Sequence, residues 1–323
     1  MPLRRASDQP LFAPADIPPL RPDLVEVSSV FNPGATVWHG RELLLLRVQT
    51  RGRTTLILPA ERRAGGKVEV TGPPVDFEGL GDIHPLHTHV YDPRLTVIDD
   101  VLYVTLAVDS PDGCRLLTAR SEDFDRWRII GLDDGGDLRN GVLFPQRFDG
   151  RYLRLQRPNR SAREGAPSTG SAITLARSSD LVAWTEIATV MEGRPQRWDE
   201  WIGSGPPPVK TRQGWLHLYH GVATHFASSN IYQAGVVLLD LANPSRVLHR
   251  GAFNVLEPRE AWELTGQVPN VVFPSGMVVE TVDAEGFAEP DSPVRVYYGA
   301  AETVIGLAVT TIAELLADAR FTG

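Results

Sequence analysis

The segment VYDPRLTVI, Val90 to Ile98, sets one carboxylate between a strand-forming apolar run and a proline, with a guanidinium two residues further on. Pro93 restricts the backbone at Asp92 and Arg94 places a cation beside it. A carboxyl group held this way suits general acid or base work if burial raises its pKa. The plainer alternative is an Asp-Pro turn starter paired to Arg94. A second constellation is cationic: Arg139, Arg157, Lys210 and His220 follow one another along the middle of the chain. Together they could cradle phosphate through bidentate and point-charge contacts, although each alone reads as a solvated strand end. Asn32, Arg47, Tyr219, Asn270 and Glu302 sit at corresponding places in similar segments and join Arg94 as candidates to line a shared pocket. His84, His87 and His89 lie in HPLHTH, just before Asp92. The alternation of His87 and His89 suggests a metal, but no carboxylate or cysteine partner accompanies it, so places on a pocket rim and no metal are expected. No glycine-rich nucleotide loop, serine elbow or Cys-x-x-Cys pair occurs.

Residues so far apart can share a pocket only if the fold repeats. Five proline-marked segments do recur: VFNPGATVW, VYDPRLTVI, VLFPQRF, GPPPVKT and VPNVVF. Their prolines (Pro33, Pro93, Pro145, Pro207 and Pro269) are spaced by 60, 52, 62 and 62 residues. Each is followed by a compact apolar run: ELLLLRV, VLYVTLAV, YLRLQRP, WLHLYHG and VRVYYGA. Asp149-Gly150, His39-Gly40 and Gln213-Gly214 fall between segment and run as hairpin turns. A third strand follows in most units, and two of these continue alike, as ARSEDFDRWRII and ARSSDLVAWTEI, which marks duplication. Five units of three or four strands predict an all-β, five-bladed β-propeller, with a two-sheet sandwich as second reading. In a propeller the innermost strands line the axis, where the polar residues above would converge. Residues 1–25, rich in proline, read as an extended N-terminal arm, and 26–323 as one propeller domain. The arm is compatible with a homo-oligomer. Thr311 and Glu314 form a capping-box pattern that predicts a short C-terminal helix from about Ile312 to Ala319.

The composition narrows the classes. The 323 residues are 42% hydrophobic and 22% charged, with a net charge of −8. That balance and the lack of a basic block argue against nucleic-acid and anionic-membrane partners, yet a local arginine cluster can still take a small anion. Cys114 is the only cysteine, so no intrachain disulfide is possible. The first residues carry arginines without an apolar stretch behind them, and no segment has the length of a membrane span, so a cytoplasmic location is the default expectation.

The segments FNPGA, DPR, RNGVLFP, GPPPVKT with GWLHLYHG, YQAGVVLLD, VPNVVF and YYGAAETVIGLA occur in the order seen in glycoside hydrolase family 130, which the chain resembles from the arm to Ala308. The resemblance implies a five-bladed propeller and, for most members, inverting phosphorolysis of β-mannosides to α-mannose 1-phosphate. A minority of members are β-mannosidases. It implies that Asp92 is the general acid, acting through a sugar hydroxyl, and that Arg139, Arg157 and Lys210, with His220 beside them, hold inorganic phosphate as co-substrate; no other cofactor is expected. Asn32 and Arg47 would hold the mannosyl unit. Two positions depart from the family pattern, Tyr91 before the DPR aspartate and Glu302 in the last motif, and both bear on which sugar is bound. A hydrolase would need a second carboxylate to activate water, for which Asp199 and Glu200 in RWDEWIGSG are candidates. Otherwise Asp199 lies on the acceptor side, with Trp198 and Trp201 stacking on sugar. A glycan-binding propeller without catalysis is the third reading. Acceptor selectivity is expected from Arg160 to Ser171 and Ala223 to Asn230.

Overall fold

The computed structural model describes the chain except residues 25, 84–88, 112, 135, 161–169, 225–228 and 322–323. Five antiparallel sheets surround one axis, the propeller expected from the repeats. From the axis outward, blade 1 is Val27–Trp38, Arg41–Thr50, Thr55–Arg62 and Val68–Val70. Blade 2 is Val90–Ile98, Val101–Ser110, Gly113–Ser121 and Trp127–Leu132, with Phe77–Glu78 added in parallel at its outer edge. Blade 3 is Leu138–Leu143, Tyr152–Pro158, Ala172–Ser178 and Thr185–Glu192. Blade 4 has an interrupted inner strand (Trp201–Ser204, then Val209–Thr211) against Gly214–Ala223, Ile231–Leu239 and Val247–Arg250. Blade 5 is Val272–Val279, Pro293–Ala300 and Val304–Thr311.

The inner strands share a device. Register slips between Phe31 and Gly34, between Tyr91 and Arg94, between Arg139 and Val142 and between Pro274 and Gly276 mark a bulge in four blades. Asn32, Asp92 and Asn140 take left-handed backbone angles there, with φ of 45°, 54° and 53°. Asn and Asp tolerate that region because their short polar side chains bond locally, whereas bulkier residues clash. The true frame of the repeat is thus Asn or Asp followed by Pro or Gly. Pro33 and Pro93 belong to it, whereas Pro145 and Pro269 lie just outside the inner strands and Pro207 falls in the gap of blade 4. Backbone groups freed at the bulges find partners on the next blade: Ser275 Oγ donates to the Pro33 carbonyl at 2.8 Å, and Thr105 Oγ1 to that of Gly141 at 2.6 Å.

Two of the expected hairpin turns have both central residues left-handed, His39-Gly40 (49°, 72°) and Asp149-Gly150 (48°, 74°), as a type I′ turn requires. The duplicated segments form equivalent turns. Ser121 Oγ accepts the amide of Phe124 and Ser178 Oγ that of Leu181, while the Trp127 and Trp184 indoles donate to the carbonyls of Phe124 and Leu181. Between blades the core is apolar; Trp215 of blade 4 meets Phe144 beside blade 3 edge-on at 5.1 Å. Blades 5 and 1 are also joined by Arg295, whose guanidinium is bidentate to Glu42 at 3.1 and 3.0 Å.

The N-terminal arm packs on its own chain. Arg4–Arg5 pairs with Val309 and Ala308, adding a fourth strand to blade 5, and Phe12 bridges to Ile305. Leu3, Phe12 and Ile17 are buried. Leu24 is buried as well, whereas Met1 and Leu20 are exposed. Arg5 also reaches Glu263, a fully buried carboxylate, at 2.8 and 2.5 Å, and Tyr298 donates to the same group. The C-terminal helix runs Ile312–Arg320 with the expected reciprocal cap between Thr311 and Glu314, and buries Ile312, Leu315, Leu316 and Ala319 against blade 4 and the end of blade 5. Single helical turns at Leu80–Ile83 and Ala261–Leu264 carry no periodic signal and were not anticipated. Among the described residues no helix is long and apolar enough to cross a membrane.

Candidate active site

One end of the axis opens into a cavity of about 330 Å³, within the range of small-molecule sites. Eight of the expected residues line it: Asn32, Arg47, Tyr91, Asp92, Arg139, Arg157, His220 and Glu302. The bulges bring them together. Asn32 and Asp92, at equivalent places in adjacent blades, meet directly, Asn32 Nδ2 donating to Asp92 Oδ1 at 2.9 Å. Arg47 Nη1 donates to the same oxygen at 2.8 Å. Burial pushes the Asp92 carboxyl upward, but the guanidinium groups of Arg47 and Arg94 and the bonds from Asn32 and Arg47 outweigh it and hold the pKa below the ordinary 3.8. Glu302, at φ 48°, shows the opposite balance: burial and the Asp92 charge push it above its ordinary value against the pull of Arg47 and Arg139. Asp92 and Glu302 are thus shifted in opposite directions from their ordinary values.

Tyr91 is a platform for cations. The Arg47 guanidinium lies 4.6 Å from its ring centroid and 4.4 Å from that of Phe31, and Arg139 lies 6.0 Å from Tyr91. The Tyr91 hydroxyl donates to Asp109 Oδ1 at 2.6 Å, and burial raises its pKa, so it stays protonated.

Arg139 and Arg157 face each other across a paired position of blade 3. Arg157 Nε donates to Asn159 at 3.1 Å, and Arg139 Nε has no partner. Among the described residues neither guanidinium forms a salt bridge with a carboxylate. Burial and repulsion from Arg139 lower the Arg157 pKa to about 10, whereas at the partly buried Arg139 burial is outweighed by the surrounding Tyr91, Cys114, Asp109 and Asp137, which raise it. Beside them burial and Arg157 drive the His220 pKa well below its ordinary value, so the ring is neutral. Both of its nitrogens lack hydrogen-bond partners of good geometry, as does Asn140 Oδ1. Gly203 separates the two: a Cβ there would overlap the His220 ring and Asn140 Oδ1. Neutral imidazole, two guanidinium groups and an amide form a donor-rich wall fit for phosphate.

Eight expected residues do not reach the cavity. Lys210 lies at the far end of blade 4, paired with Trp215 while Gly203 pairs with His220; its ammonium contacts the Glu285 carbonyl at 3.3 Å and the Phe287 ring at 4.4 Å. Asp199 is wholly buried in a closed network with Arg194, Arg250 at 2.6 Å and the Tyr219 hydroxyl at 2.9 Å, so both Asp199 and Tyr219 serve packing. Trp198 stacks on Tyr219 at 5.8 Å and donates to the Ala252 carbonyl, again away from the cavity. Glu200 accepts from Thr224, and Trp201 pairs with Val222 on blade 4; neither lines the cavity. Asn270 donates to Ser229 at 2.9 Å and its carbonyl receives the Tyr232 amide, fixing a wall from behind. Arg94 is buried beneath the floor.

Other lining residues escaped the sequence reading. Asn140 stands in RNG where the first blades have Asn-Pro and Asp-Pro, and alignment on that pair would have found it. Gln49, two residues beyond Arg47, shares its strand face. Arg53, Thr55, Asp109, Tyr232, Val271 and Phe273 complete the wall, and residues of their kind carry no spacing signal. His89 lines the rim; His84 and His87, and much of the two expected acceptor loops, lie outside the described residues.

Fold and site together define a five-bladed propeller with an axial cavity that holds a carboxylate and an arginine pair without a salt bridge among the described residues, a class of site suited to a polar ligand and an anion. The chain belongs to glycoside hydrolase family 130: the family model described as beta-1,4-mannooligosaccharide phosphorylase matches residues 4–319. A 1,2-beta-oligomannan phosphorylase of Thermoanaerobacter sp. (strain X514) is 29% identical, over 97% of this chain and 98% of that protein. A beta-1,2-mannobiose phosphorylase of the same strain is 30% identical over 95% and 96%. The solved beta-1,2-mannobiose phosphorylase of Listeria innocua, in complex with beta-1,2-mannobiose, matches with a TM-score of 0.81 at 25% identity, covering 99% of both chains.

Proposed function

We propose that this protein is an inverting β-mannoside phosphorylase, with a β-1,2-linked mannoside as the first substrate to test. The observation that carries the reading is the Arg139–Arg157 pair, which among the described residues has no salt bridge to a carboxylate, in one cavity with Asp92. Inorganic phosphate neutralises that pair and takes hydrogen bonds from His220. One phosphate oxygen attacks the anomeric carbon as the bond to the leaving oxygen breaks. The proton that Asp92 takes up on binding passes to that oxygen, through a sugar hydroxyl, which returns Asp92 to its ionised resting state. The mannose 1-hydrogen phosphate product releases a proton to solvent that balances the one taken up. Attack from the face opposite the leaving group turns a β-mannoside into α-mannose 1-phosphate. The resting Asp92 is ionised, so protonation must accompany binding; phosphate brings negative charge into the cavity, which raises the Asp92 pKa. In the reverse direction the ionised carboxylate is ready to act as base toward an acceptor hydroxyl. Asn32 and Arg47, bonded to Asp92, are placed to orient the mannosyl unit beside the acid. The β-1,2 preference rests on the names of the relatives above. The test is incubation with β-1,2-mannobiose in the presence and absence of inorganic phosphate. Phosphate-dependent cleavage supports the reading, whereas equal release of free mannose without phosphate makes the protein a hydrolase and overturns it.

A further inference from the structure

Arg94 does not line the cavity, yet it touches the backbone of the residue expected to act there. Its guanidinium is 1% exposed for the whole residue and sits at the axis. Nη1 donates to the carbonyl of Asp92 at 3.2 Å and to that of Pro93 at 3.1 Å. Nε crosses the axis to the Gly205 carbonyl of blade 4 at 2.8 Å. The same group lies 5.4 Å from the Phe273 ring of blade 5, which in turn packs at 4.5 Å against His220. Phe273 and His220 are cavity walls, and Gly205 follows Gly203 and Ser204, the strand that separates His220 from Asn140. One planar fork therefore joins the left-handed bulge of Asp92 to the wall of the anion site. An Arg fork fixes direction as well as charge, which a flexible ammonium does not.

We infer that Arg94 is a positioning residue that fixes the Asp92 bulge against the anion wall through its bonds to the Asp92, Pro93 and Gly205 carbonyls. The inference rests on the reading of Asp92 as proton donor. It gives Arg94 no contact with sugar or phosphate, in contrast to the pocket-lining place expected from sequence.

The test exploits the leaving group. A sugar alcohol leaves only with proton assistance, whereas 2,4-dinitrophenolate leaves without it, so misplacing the acid harms the first and spares the second. Wild type, Arg94→Lys and Arg94→Gln are compared, with phosphate present, on β-1,2-mannobiose and on 2,4-dinitrophenyl β-mannoside. Both variants should lose about ten- to a hundredfold in kcat on the mannobiose, the scale of a misplacement of about 1 Å, while the aryl mannoside stays within about threefold. Equal losses on both substrates mean a purely structural role and overturn the inference, as does full activity on the mannobiose. A wild-type protein that cleaves neither substrate sinks the phosphorylase reading instead. Should neither variant fold, a wild-type crystal structure with phosphate and β-1,2-mannobiose decides: Arg94 must keep its three carbonyl contacts, and an Arg94 turned onto either ligand contradicts the inference.

Discussion

At the scale of single residues, the account turns on the balance of charges around Asp92. Asp92 is faced by Asn32 and Arg47 from blade 1, by Glu302 from blade 5 and by Arg94 from its own strand. The cations win, and the sign follows: the group is depressed when folded, so it is ionised in the free protein at neutral pH and must gain a proton to act as an acid. A carboxyl-detected NMR titration, assigned with Asp92→Asn, should place it below 3.8 without phosphate and higher with phosphate bound. A value above 3.8 in the phosphate-free protein contradicts this balance. Asp92→Asn should cost about 10²- to 10⁴-fold in kcat on a mannobiose, the usual worth of a positioned acid. Arg157→Met removes one charged donor from the anion wall, a change of about 1.5–3 kcal/mol, and should raise the phosphate KM by roughly ten- to a hundredfold. Lys210→Ala, on the far side of blade 4, should leave that KM within about twofold. Steady-state kinetics in varied phosphate separates these outcomes, and a Lys210 effect equal to that of Arg157 contradicts the geometry. The cavity places of Asn32, Arg47, Asp92, Arg139 and Arg157 were legible because strand ends and proline motifs carry these residues. Lys210 and Asp199 misled because a charge in a strand looks the same in sequence whether it faces a cavity, solvent or a buried counter-ion.

At the scale of elements, the bulged inner strands place the site and the arm closes the ring. The proline signal found the first two bulges, because Pro follows the left-handed residue there, but in blade 3 glycine does that task and the marker slid to Pro145. The arm was legible as extended and non-periodic; its docking on blade 5 was not, since a two-residue strand has no pattern to read. Arg5 is the piece of that arm with most at stake. Arg5→Met leaves Glu263 buried without its cation and should destabilise the fold by about 3–5 kcal/mol, measured as a lower urea midpoint with unchanged slope. A change below about 0.5 kcal/mol would mean that the arm is dispensable. Glu314, which caps the C-terminal helix and pairs with Arg4 at 2.7 Å, has its pKa lowered to about 2 by the Arg4 bond, by Thr310 and by the Thr311 amide, against slight burial. A group depressed in this way contributes stability above its unfolded value of 4.5 and loses it as pH falls toward about 2. The difference in melting temperature between wild type and Glu314→Gln should therefore shrink across that interval.

At the scale of the whole molecule, five sheets that each bury two faces supply a rigid ring, and function resides in the few polar groups the ring turns inward. The architecture was legible because alternation, turn chemistry and a near-constant repeat agree over the whole chain. The closure of blade 5 by Arg4–Arg5, and the buried networks around Asp199, Glu263 and Arg94, were not, because long-range pairing leaves no local trace. The cavity has Asp92 on one wall and the Arg139–Arg157 pair on another, and in the proposed reaction the first supplies the proton and the second holds the phosphate. The central claim is that phosphate is the nucleophile and attacks opposite the leaving group. Proton and phosphorus NMR of the first product formed from β-1,2-mannobiose and inorganic phosphate tests it directly. The account predicts α-mannose 1-phosphate as that product; β-mannose 1-phosphate, or free mannose formed at the same rate without phosphate, would contradict it.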